Sequence, residues 1–162
     1  MKVFIGINAG SWKIGLEYAP ISHEDGGQYM TRWIVYLLWF NLRLHHFFRG
    51  DYDRASHTHP WWFITFPFTA YWEQVYEKGV FVSNRLVRRL RFHWRSSNFE
   101  HIVLYPVTVG FDPAYPQYKE VAACHRMKPF WTFVIAGRPC NVWGFYGTSG
   151  LPMASSIQYG DE

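Results

Sequence analysis

Only two cysteines, Cys124 and Cys140, occur in the 162-residue chain, and neither their number nor their spacing makes a disulfide framework, a zinc motif or a redox pair. A reducing, cytoplasmic setting is the expectation. No apolar run approaches the roughly 20 residues of a membrane-spanning helix, and the longest, Trp33 to Phe40, stops at Asn41. The first residues, Met1 to Gly6, are too short in their apolar part for a signal peptide, and Asn8 interrupts them. Repeats, Ser/Gly-rich linkers and convincing amphipathic helices are missing too; Val121 to Met127 would make one or two turns at most. A net charge of +4 is only mildly basic, so a nucleic-acid partner is not expected.

Aromatic residues are what the chain has in excess, at 21% with 9 Trp, 11 Tyr and 14 Phe. Such residues suit pleated, half-buried surfaces, and they also make flat apolar pocket walls. The pattern reads as short strands separated by turns, which indicates an all-β sandwich or barrel. Strands are expected over Trp33 to Phe40, Leu42 to Phe48, His57 to Phe66, Ala70 to Glu77, Phe81 to Val82, Leu86 to Trp94, His101 to Val107, Phe130 to Ala136 and Asn141 to Tyr146. Lys78-Gly79 is a turn, and the polar stretch Arg49 to Arg54 a loop. Residues 1–30 read as a loosely organised arm, 31–147 as the barrel with an irregular Pro-rich insertion at about 108–128, and 148–162 as a tail.

Eight histidines are present, and two of them form His57-Thr58-His59 where a loop becomes a strand. Side chains two apart on a strand share a face, their Cα atoms roughly 6.5–7 Å apart, so both imidazoles can reach one ion. One such pair arises by chance about 0.4 times in a chain of this composition, which makes its surroundings decisive. Pro60-Trp61-Trp62-Phe63 follows as a bulky wall, with Trp61 and Phe63 on the parity of the histidines. Tyr71-Trp72-Glu73 lies on the next strand, and His101 opens another about forty residues on. A pair on one strand plus a distant histidine makes a facial three-nitrogen site with open positions. Glu73 could be a fourth ligand, a carboxylate orienting an imidazole, or a general base. One of His45 and His46 faces inward if their strand is half-buried, and His45 is the candidate, either as a residue supporting the ligands or as a substrate contact.

These residues resemble the cupin superfamily and, more narrowly, a group of small cupin-like proteins of bacterial and phage genomes. The resemblance runs from about Arg32 to Phe145. It is carried by Leu42-Arg43-Leu44-His45-His46, the loop from Asp51 to His59 ending in His-x-His-Pro-Trp, Tyr71-Trp72-Glu73, His101, and Trp131-Thr132-Phe133 with Gly137 and Trp143-Gly144-Phe145. It implies a jelly-roll barrel with the histidine pair and the later histidine around a metal. Two departures stand out: Phe63 and Ile64 occupy the places where a cupin glutamate usually follows, and Ser96 to Glu100 replaces the usual Pro-x-Gly turn.

Arg89 and Arg91 alternate with Leu90, Phe92 and Trp94, as in a half-solvated edge strand or a barrel mouth that recognises a phosphate or carboxylate. The expected cofactor is one divalent transition metal, iron, nickel, manganese or zinc, since three imidazoles accept any of them. The small molecule would lie against Trp61, Phe63, Tyr71, His45, Arg89 and Arg91. Three functions follow: a metal enzyme of the dioxygenase or isomerase type, a protein that sequesters a small molecule or nucleotide, and an interaction protein with a structural metal. The arm could pair with an exposed sheet edge of a second copy, giving a homodimer.

Overall fold

The computed structural model describes residues 1–9, 12–22, 26–50, 56–106, 129–140, 145–146 and 152–153. The loop residues Asp51, Asp53 and Arg54, the insertion at 108–128 with the helical turns expected at Val121 to Met127, Cys124, Trp143-Gly144 and most of the tail lie outside them.

Strict alternation along Phe130–Ala136 shows how the sequence builds its sheets. Phe130, Thr132, Val134 and Ala136 are buried, and the residues between them are half-exposed. Aromatic and β-branched side chains favour this pleated state, and the period of two puts one set inside. Thirteen strands are formed among the described residues: β1 (Val3–Ala9), β2 (Trp12–Ser22), β3 (Gln28–Leu37), β4 (Phe40–Phe47), β5 (Ser56–His57), β6 (Phe63–Pro67), β7 (Tyr71–Glu77), β8 (Val80–Val87), β9 (His93–Arg95), β10 (Glu100–Pro106), β11 (Phe130–Ala136), β12 (Phe145–Tyr146) and β13 (Pro152–Met153).

They make two antiparallel sheets, β1-β2-β3-β4-β11-β6-β9 and β13-β12-β5-β10-β7-β8. Within the eight strands from β4 to β11 the pairing is nested: β4 with β11, β5 with β10, β6 with β9, and β7 with β8. That nesting is a long hairpin rolled up on itself, its two halves closed by β11–β6 and β10–β7. The result is the all-β jelly roll expected from the sequence. The innermost turn, Lys78-Gly79 between β7 and β8, has positive φ at both positions (50° and 79°), the geometry that suits a tight hairpin. Glu100 accepts from Gly79 N at 3.1 Å and from Ser56 Oγ, which ties this turn to β5.

Four expectations need correction. Trp33 to Phe40 is no single buried strand: Leu38 and Trp39 form an exposed hairpin tip, with Leu37 opposite Phe40. His57 to Phe66 is divided between the two sheets, because Pro60 and the Trp61-Trp62 bend carry the chain across. Leu86 to Trp94 is likewise divided, since Arg88 to Phe92 is the crossing from β8 to β9, with Leu90 at φ 55° and its N–H bound to Pro67 O at 2.8 Å. Residues 1–31 are more regular than their composition suggests, for β1 and β2 pair over seven residues and extend the first sheet beyond β3.

An aromatic cluster of Tyr29, Phe47, Tyr71 and Phe130, with Met30, Val87 and Val103, fills one part of the interior between the sheets. Phe47 and Phe130 stack with ring centroids 4.9 Å apart. Gly50 is placed where only a hydrogen fits, because a Cβ there would overlap the carbonyl oxygen of Leu104. The chain leaving β4 therefore passes directly against β10, the strand that carries His101.

Candidate metal centre

His57 ends β5, His59 lies two residues beyond it, and His101 is near the start of β10. His57 and His101 are directly opposed in the β5–β10 pairing, which aims both rings to the same face of the second sheet. After His57 the chain leaves the strand, yet the third ring still turns to the same point. Ring centroids are 5.3 Å apart for His57–His101, 5.2 Å for His59–His101 and 5.1 Å for His57–His59. The Nε2 atoms of His59 and His101 are 2.9 Å apart. One nitrogen from each ring falls within a set whose members are all within 4.8 Å of one another.

This donor set suits a divalent transition ion. Two nitrogens bound at about 2.0–2.1 Å, at angles between right and tetrahedral, stand about 2.9–3.4 Å apart, and the His59–His101 separation is within that range. The donors must also be neutral. Burial, reinforced by the charges of His57, His101 and Arg43, holds the pKa of His59 well below 6.5, so its lone pair is available at neutral pH.

Behind the rings is Glu73, fully buried on β7 and opposite Val103, one diagonal step from His101. Its Oε1 is 3.3 Å from His101 Nδ1, a close polar contact outside hydrogen-bond alignment, and accepts from Tyr71 Oη at 3.1 Å. Its Oε2 accepts from Arg95 Nη2 at 2.9 Å. Burial alone would raise the pKa of Glu73, but His101 and Arg95 outweigh it and bring it to about 2. Glu73 stands behind His101, outside the three-nitrogen group, and does not line the cavity. Arg95 belongs to β9 of the first sheet, so its ion pair with Glu73 also joins the two sheets.

The rings open on a cavity of about 390 Å³. Trp61, Phe63, Tyr71 and His45 line it. The neighbouring histidines separate: His45 faces the cavity, while His46 stacks outside on Trp131 with centroids 4.0 Å apart. Arg89 and Arg91 do not contribute, since both are exposed in the crossing between the sheets. Three residues went unread in the sequence: Arg32, Arg43 and Thr132 also line the cavity. The alternation Asn41, Arg43, His45, Phe47 along β4 was the available signal for Arg43. Its guanidinium lies over the Trp61 ring at 4.0 Å, and its Nε donates to Asn41 Oδ1 at 2.5 Å.

No protein-family model matches the chain, and no curated protein is detectably similar to it. Several solved structures are similar to it at low identity. Hydroxypropylphosphonic acid epoxidase from S. wedmorenis is 7% identical at a TM-score of 0.47, over 74% of this chain and 55% of that one. The DMSP lyase DddQ from Ruegeria pomeroyi is 11% identical at a TM-score of 0.46, over 74% and 52%. An RmlC-like cupin protein from Ralstonia eutropha is 10% identical at a TM-score of 0.42, over 94% and 72%. The chain spans about half the length of the first two proteins. No helix of the described residues is long and apolar enough to cross a membrane.

Proposed function

We propose that this chain is a cupin-like metal enzyme that acts on a small molecule inside its barrel, with His57, His59 and His101 holding one divalent transition ion. The observation that carries the reading is the convergence of three imidazoles from β5, the following loop and β10 onto one point of the cavity wall. A bound ion would supply Lewis acidity at a substrate oxygen, with coordination positions left open by a three-ligand set. The residues of the chain divide the remaining work. Glu73, fixed by Arg95 and Tyr71, orients the His101 ring through Nδ1 and leaves Nε2 toward the site. Trp61, Phe63 and Tyr71 exclude water from one side of the cavity and offer flat surfaces to an organic ligand. A dioxygenase or an isomerase would use such a centre.

A second reading, sequestration of a small molecule without turnover, draws on the same aromatic and basic wall. Metal content decides first between the two. Purified protein is expected to hold about one equivalent of a divalent transition ion, and His57→Ala and His101→Ala to hold much less; metal no higher in the wild type than in the variants rejects the enzyme reading. A purely structural ion would instead be marked by unfolding on chelation.

A further inference from the structure

Charge is distributed unevenly around the cavity. Among the described residues its wall contains the basic side chains of Lys2, Arg32 and Arg43 and no carboxylate. Lys2 and Arg32 lie near one acid, Glu17, whose Oε1 is 3.7 Å from Lys2 Nζ and 3.9 Å from Arg32 Nη2. The other oxygen of Glu17 is already engaged by Lys13 Nζ at 2.9 Å and Tyr36 Oη at 3.1 Å. One buried carboxylate thus serves three cations. On the first-sheet side of the wall, Arg32 Nε and His45 Nε2 are buried without a hydrogen-bond partner. They belong to residues directly opposed across β3–β4, and Thr132 on β11 continues that row. The row is on the first sheet; His57 and His101 are on the second, and one cavity reaches both.

We propose that the molecule bound in this cavity is a small organic oxyanion, with its carboxylate or phosphate group held by Arg32 and His45 and its carbon skeleton lying along Trp61, Phe63 and Tyr71 toward the three imidazoles. A guanidinium offers Nε–H and Nη–H in the fork that matches two oxygens, and a neutral imidazole protonated on Nε2 offers a third donor. Arg43, on the neighbouring inward position of β4, adds positive potential to the same side. The inference rests on the reading of the cavity as a small-molecule site and does not need a bound ion.

The test is calorimetric titration of the full chain, stripped of metal by chelation, with benzoate, phenyl phosphate and the uncharged benzamide. At least one of the two anions is expected to bind about tenfold or more tightly than benzamide. Arg32→Gln should remove most of that preference and leave the affinity for benzamide unchanged. His45→Gln provides a second variant should the first fail to fold, and a fall in anion affinity with added salt is a readout on the wild type alone. The tighter of the two anions identifies the head group. Failure of both anions to bind, equal binding of benzamide, or a preference untouched by both variants would overturn the proposal. Because metal is absent throughout, this result is independent of whether the three histidines hold an ion.

Discussion

Glu73 and His101 are neighbours on adjacent strands, with the carboxylate against Nδ1 of a ring whose Nε2 is 2.9 Å from His59. The same carboxylate is paired with Arg95 from the opposite sheet. One buried acid therefore stands against a candidate ligand and joins the two sheets.

Glu73→Gln keeps the shape but leaves Arg95, which is 1% exposed, without its counter-charge. Removing one partner of a buried pair costs about 3–5 kcal/mol, to be measured by urea denaturation of the metal-free protein. Metal affinity should also fall by about 10–100-fold, as it does when an outer carboxylate is lost. Combining Glu73→Gln with Arg95→Met should destabilise less than the sum of the single changes.

Acid should weaken the metal-free fold in two stages. Burial, with Arg43 and Arg32 nearby, depresses the pKa of His45 well below 6.5. The unfolded chain then takes up that proton first, so stability is lost as pH falls through about 6.5. For Glu17 burial alone would raise the pKa, but the hydrogen bond and charge of Lys13, with Lys2, lower it below 4.5. Its contribution is present above 4.5 and is lost as pH falls below that value. Equilibrium unfolding at a series of pH values should show His45→Gln reducing the first stage, which buried His59 shares, and Glu17→Gln reducing the second, which Glu73 shares. A stability unchanged between pH 7 and 5 would count against the buried neutral His45.

Gly50→Ala tests the close approach of the chain after β4 to β10. The added Cβ must displace the backbone at Leu104. Overpacking of this kind costs about 1–3 kcal/mol, read as a lower urea midpoint with an unchanged slope.

Much of this architecture is legible in the sequence because period-two alternation marks inward positions wherever a strand is regular. Tyr71 and Glu73 are inward as their parity requires, and the same rule separates His45 from His46. Parity alone does not show where the chain changes sheet. Pro60-Trp61-Trp62 and Arg88 to Phe92 are as aromatic or as alternating as the strands beside them, so the crossings look like strand continuations. That is why Arg89 and Arg91 pass for a barrel mouth, whereas Arg95, the one arginine of the group that is buried, meets its partner only through the pairing of β9 with β6. The cationic wall is a similar case. Arg32 and His45 meet across the β3–β4 hairpin, and Thr132 joins them by strand order from a segment far along the chain.

The central claim, one ion held by three imidazoles, is tested most directly by titrating metal-free protein with Co(II) and following its visible absorption. Wild type should saturate at about one equivalent with a spectrum characteristic of nitrogen ligation, and His57→Ala, His59→Ala and His101→Ala should each lose it. His46→Ala, whose ring stacks outside on Trp131, should titrate like the wild type. A wild-type titration indistinguishable from that of the three ligand variants would contradict the account.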